Sequence, residues 1–132
     1  MPHTIVNPDG LHDPAPFGYS HTASVRADTE LVLVSGQYGS GTDGAVVSTD
    51  FVEQVQQAFR NLSVALAAHG LDLSHVVQLR TYVVNIDFDK LGAISEAVLG
   101  CGDTLPTQTV IGVAGLAMPD ILFEVEAVAA RP

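Results

Sequence analysis

The stretch from Leu105 to Ala129, LPTQTVIGVAGLAMPDILFEVEAVA, constrains the fold more than any other part of the chain. It holds two strand-like runs, Thr107 to Val113 and Ile121 to Ala129, joined by a turn-rich piece with Gly115, Pro119 and Asp120. A period of two puts Ile121, Phe123, Val125 and Ala127 on one face of the second run, and Leu122, Glu124, Glu126 and Val128 on the other. Two carboxylates are therefore held among apolar residues. In the first run Gln108, Val110 and Gly112 share a face, so pairing the runs as a hairpin would bring an amide near a carboxylate. Register decides whether they meet, and sequence does not fix register.

Upstream, the first 20 residues contain Pro2, Pro8, Pro14 and Pro16 and are expected to run extended, with a short strand near Thr4 to Val6. A strand pattern from Ala23 breaks at a polar turn, Ala27 to Glu30, and resumes from Leu31 to Gln37 as an apolar run expected to be buried on both faces. Gly39, Gly41 and Gly44 spell G-x-G-x-x-G, but a dinucleotide site needs a helix opening at these glycines. The helical signal starts only near Asp50, so a hairpin-like loop is expected. Asp50 with Glu53 three residues on forms an N-cap pattern. Val52, Val55, Phe59, Leu62 and Leu66 then make one apolar stripe, stopped by Gly70. A strand is expected over His75 to Val84. A second helix is expected over Phe88 to Leu99, capped by Asp87, with Leu91, Ile94 and Val98 inward.

The order strands, helix, strand, helix, strands predicts one α+β domain over residues 1–132, a mixed sheet with two helices on one face. The uncovered face is expected to be apolar and to pair with copies of the chain. A net charge of −10 and the lack of a basic stripe speak against nucleic acid as a partner. No run of 18 apolar residues suggests a membrane span, and the start lacks a secretory pattern, so a cytoplasmic protein is expected. Cys101 is the single cysteine, which excludes an intrachain disulfide.

Five pieces, in this order and spacing, resemble the RidA family, also called YjgF or endoribonuclease L-PSP. They are FGYSH at Phe17 to His21, VSGQ at Val34 to Gln37, AAHGLDLSHVVQLRTYV after the first helix, LPTQTV at Leu105 to Val110, and FEVEAVA at Phe123 to Ala129. The resemblance implies a chorismate-mutase-like fold and a homotrimer with sheets in a central barrel and ligand clefts between subunits. It also implies hydrolysis of reactive enamines and imines to a carbonyl compound and ammonia, with no cofactor.

In the family an arginine two positions after the strand's proline grips the substrate carboxylate, a task suited to a fixed, fork-shaped cation. Here that position is Gln108. The family's asparagine in the second helix matches Gly92, and the usual cysteine two residues past the arginine matches Val110, a position that acts through its backbone. The resemblance keeps Tyr19 as a cleft residue, Gly36 as a substrate-binding position in VSGQ, and Glu126 as the residue that positions water. From the residues alone, Glu124 and Glu126 could equally be solvated acids or partners of Arg80, and Tyr19 a rim aromatic at a subunit contact.

His3, His12, His21, His69 and His75 lack the spacing of a metal site, so no metal is expected. Ser35 has no evident His and Asp partners, and Cys101 no evident base. The expected function is an imine deaminase with specificity altered at Gln108. The alternatives are a non-catalytic trimer that binds a small metabolite and, with less support, an endoribonuclease.

Overall fold

The computed structural model describes residues 3–132. Met1 and Pro2, the latter one of the prolines that argue against a helical start, lie outside the described residues. In chain order the elements are β1 (His3–Val6), β2 (Thr22–Val25), β3 (Leu31–Tyr38), α1 (Phe51–Ala67), β4 (Val76–Val84), α2 (Phe88–Leu99), β5 (Thr107–Val113) and β6 (Phe123–Ala130). The main sheet is mixed, with strand order β3-β6-β4-β5, and β1 pairs with β2 in a separate antiparallel ribbon.

Two pairings depart from a simple hairpin between chain neighbours. The β5 and β6 runs do not form a hairpin: β4 lies between them, and β5 runs parallel to it at the sheet edge. The reason is the connection of β4 to β5 through α2, since a helical crossover returns the chain parallel. Likewise β2 takes β1 as its partner instead of folding back on β3.

Each helix starts where its cap is written. The Asp50 carboxylate accepts a hydrogen bond from the Glu53 N–H at 3.0 Å, and Asp87 accepts from the Lys90 N–H at 2.8 Å. On α1 the inward face is Gln54, Val55, Ala58, Phe59, Leu62 and Leu66. Val52 was expected in that stripe but is exposed, because the helical period turns it away and Phe51 takes the inward place against Phe123. The glycine loop is hairpin-like: Gly41 N–H donates to the Ala45 carbonyl, Ser40 bridges Val46, and no helix opens before Phe51.

Both helices lie on one side, so β3 is buried on one face only. Val32 and Val34 point into the core, whereas Leu31 and Leu33 are exposed on the chain. The open face is less apolar than its sequence suggested. Its rows read Leu33, Val128, Gln78; then Glu126, Arg80, Thr109; then Glu124, Tyr82, Ile111. Charged and polar side chains occupy its centre, and apolar ones its margins. Among the described residues no helix is long and apolar enough to cross a membrane.

His3 in β1 is buried, and neither ring nitrogen has a hydrogen-bond partner among the described residues. Desolvation, reinforced by nearby His75, holds its pKa below the usual histidine value. Because the unfolded chain takes up this proton more readily, His3 favours the fold above the ordinary histidine range, and that contribution is lost as pH falls through it. Urea unfolding at about pH 8 and about pH 5 should show a smaller acid loss of stability in His3→Phe than in the parent. Equal losses would remove His3 as the cause.

Candidate functional site

The segment between β1 and β2 builds one wall of a cleft. A single 3-10 turn, Ala15–Phe17, ends at Gly18 with φ 80°, and a Cβ there would sit 3.0 Å from the Ser95 Cα. Glycine thus supplies both the left-handed turn and the close approach to α2. Ser95 Oγ donates to the Phe17 carbonyl at 2.8 Å, and Ser20 N–H donates to the Pro106 carbonyl at 2.9 Å. These two bonds hold Phe17 and Tyr19 between α2 and the start of β5.

The cleft has a volume of about 670 Å³. Phe17, Leu91, Ile94 and Val110 give it an apolar body, and His12, Tyr19, Ser95, Gln108 and Thr109 supply polar groups. A more polar hollow of about 480 Å³ adjoins it, sharing Tyr19, Gln108 and Thr109. An apolar cavity with a few converging polar groups is the usual form of a small-molecule site. Among the described residues that line the cleft none carries a fixed positive charge, and His12 is the one that can acquire a positive charge.

Gln108 is positioned from beneath. Buried Thr81 on β4 donates its hydroxyl to Gln108 Oε1 at 2.8 Å, which leaves the amide NH₂ of Gln108 as its donor group. The β4–β5 register places Gln108 beside Leu79 and Val110 beside Thr81, so both share the helix-covered face.

Glu126 lies on the opposite face of the same sheet. It accepts a hydrogen bond from the Tyr82 hydroxyl, an interaction that, with desolvation, raises the Tyr82 pKa. Arg80 is its cross-strand neighbour and borders the same small recess, but among the described residues no ion pair joins them. Gly36 lies on the Glu124 side of the sheet, where a methyl group would run into the Glu124 carboxylate. Within one chain, then, Tyr19, Gln108 and Val110 come together, and Glu126 and Gly36 stand apart from them. Gly92 is exposed on α2, with open space where a Cβ would be.

Sequence reading missed His12, Ser95 and Thr109 as cleft residues. His12 precedes Tyr19 by seven positions in an irregular, proline-broken segment that no periodicity describes. Cys101 is buried, and desolvation pushes its thiol up to about 11, so it stays protonated near neutral pH. Ser35 is an exposed strand residue.

The family model described as endoribonuclease L-PSP matches residues 11–131. The chain belongs to this family. A relative, the RutC family protein YjgH of Escherichia coli K12, is 30% identical over 131 residues, covering 98% of this chain and 95% of that protein. The crystal structure of YyfB from Yersinia pestis, a Rid family protein of unknown function, superposes with a TM-score of 0.94 at 33% identity, covering 99% of this chain and 100% of that one. A 2-iminobutanoate/2-iminopropanoate deaminase of Mus musculus is 33% identical over 84 residues, 63% of this chain and 59% of that protein. The RidA/YjgF fold expected from the five sequence pieces is the fold observed.

Proposed function

We propose that this L-PSP family protein hydrolyses a reactive imine or enamine to a carbonyl compound and ammonia. The observation that carries the reading is the meeting of Tyr19, Gln108 and Val110 in one apolar cleft of small-molecule size. The similarity to a protein named as an imine deaminase supports the reaction class. Water adds to the imine carbon, the C–N bond breaks, and ammonia leaves with the transferred protons. In this reading the protein is a homotrimer with clefts between subunits. Glu126, on the far face of its own sheet, serves the cleft of a neighbouring subunit by positioning that water, and Gly36 accompanies it.

Gln108 sets the specificity. A neutral amide does not neutralise a carboxylate, so the preferred substrate leans on the apolar walls more than on a charge contact. A panel of imines generated in situ by an amino-acid oxidase tests this. The parent should turn over apolar imines, and Gln108→Arg should raise kcat/KM on carboxylate-bearing imines by roughly 10 to 100-fold, the worth of a charge-assisted bidentate contact. Inactivity of both proteins would refute the deaminase reading.

A second reading, a trimer that binds a small metabolite without turning it over, is favoured by the neutrality of Gln108 and the commitment of its carbonyl to Thr81. Tight binding without product would establish it. The RNA cleavage in the family's name finds no support in a chain of net charge −10.

A further inference from the structure

His12 Nε2 lies 2.6 Å from the Tyr19 hydroxyl, and both side chains line the cleft. The pair is fixed by its surroundings. His21 Nε2 donates to the His12 backbone carbonyl at 2.8 Å, and His21 N–H donates to Asn7 Oδ1 at 2.7 Å. The His12 ring meets Phe17 edge-on at 5.8 Å and His21 edge-on at 4.8 Å between centroids.

We propose that His12 is a positioning residue that sets whether Tyr19 accepts or donates a hydrogen bond in the cleft, and thereby admits carboxylate or carbonyl ligands in place of a fixed cation. Neutral His12 in its Nδ1–H tautomer accepts a hydrogen bond from the Tyr19 O–H at Nε2, so Tyr19 presents only lone pairs to a ligand. Imidazolium His12 donates to the Tyr19 oxygen instead, which frees the Tyr19 O–H to donate to a ligand oxygen and places a positive charge behind it. The groups facing His12 leave it as the cleft's switch. Residues of α2 and β5 at the cleft, Leu91, Ile94, Ser95, Gln108, Thr109 and Val110, are uncharged. Asp13, adjacent in the chain, accepts from the Ala15 N–H, and His21, the other titratable neighbour, is tied to the His12 backbone.

The proposal rests on the reading of the cleft as a site for a small carbonyl or imine compound, and the test separates the two. The probe is 4-methyl-2-oxopentanoate, an apolar 2-oxo acid that stays ionised throughout, titrated calorimetrically between about pH 5 and about pH 8, the window in which an imidazole changes charge. Binding to the parent should tighten about five- to tenfold toward the acid end, the difference between a neutral and a charge-assisted hydrogen bond. The slope should vanish in His12→Gln, which keeps an amide beside Tyr19 without a titrating group, and in Tyr19→Phe. An unchanged slope in His12→Gln overturns the proposal.

The dyad is also read without ligand, by carbon NMR of the Tyr19 ring. Its resonance should follow the protonation of His12 in the free protein and stand still in His12→Gln. A Tyr19 resonance that ignores His12 overturns the proposal, whereas failure of the parent to bind the probe at every pH, with the NMR coupling present, overturns the ligand class and upholds the dyad.

Discussion

Gln54→Leu is expected to destabilise the protein by roughly 3 to 6 kcal/mol, because one substitution strips three backbone groups of their partner. Gln54 is completely buried on α1. Its Nε2 donates to the Ser48 and Asp120 carbonyls, each at 2.9 Å, and its Oε1 accepts from the Leu122 N–H at 2.9 Å. The side chain therefore ties the loop before α1 to the loop before β6, whose partner residues lie 66 and 68 positions from Gln54 along the chain. Leucine fills a similar volume, so the loss isolates hydrogen bonding from packing. Gly39 lies against the Gln54 backbone, 2.7 Å from where its Cβ would be, and this leaves little room for the loop to adjust. Chemical unfolding with urea measures the effect, and a midpoint equal to the parent's would show that water replaces the amide at no cost.

Phe123→Ala should cost about 3 to 5 kcal/mol, the range for removing a buried aromatic ring from a core that collapses only in part. Phe123 is fully buried at the start of β6, edge-on to Phe51 at 5.9 Å and stacked with Phe59 at 6.2 Å. It is one of the core contacts between α1 and the central strands. Phe123→Leu should lose no more than about 1.5 kcal/mol, since it keeps most of the volume. Equal destabilisation by the two variants would mean that ring geometry, not volume, sets the cost.

Helices, strands and the α+β class were legible because each depends on neighbours a few residues away. Asp50 and Asp87 announce the helix starts, and the alternation from Phe123 to Ala129 announces the buried face of β6. Strand order was not legible, because pairing β4 with both β5 and β6 is a long-range choice that local alternation leaves open. The same limit hid the role of Gln54, a polar residue within an apolar stripe whose partners come from distant loops. At the site, Tyr19, Gln108 and Val110 were placed by motif, while His12 had no pattern to betray it: an irregular segment carries it to Tyr19, and only the folded path shows the meeting.

The edge position of β5 limits how far a substitution in it is felt. A central strand must satisfy neighbours on both sides, but β5 has a single ladder partner in the sheet, β4, and Ser20 meets it only at Thr107. An exchange at Gln108 is therefore felt through β4 alone, chiefly at the buried Thr81 hydroxyl, whose hydrogen bond Gln108 accepts. A substitution in β5 thus reaches the sheet through one ladder, whereas one in β4 or β6 reaches it through two.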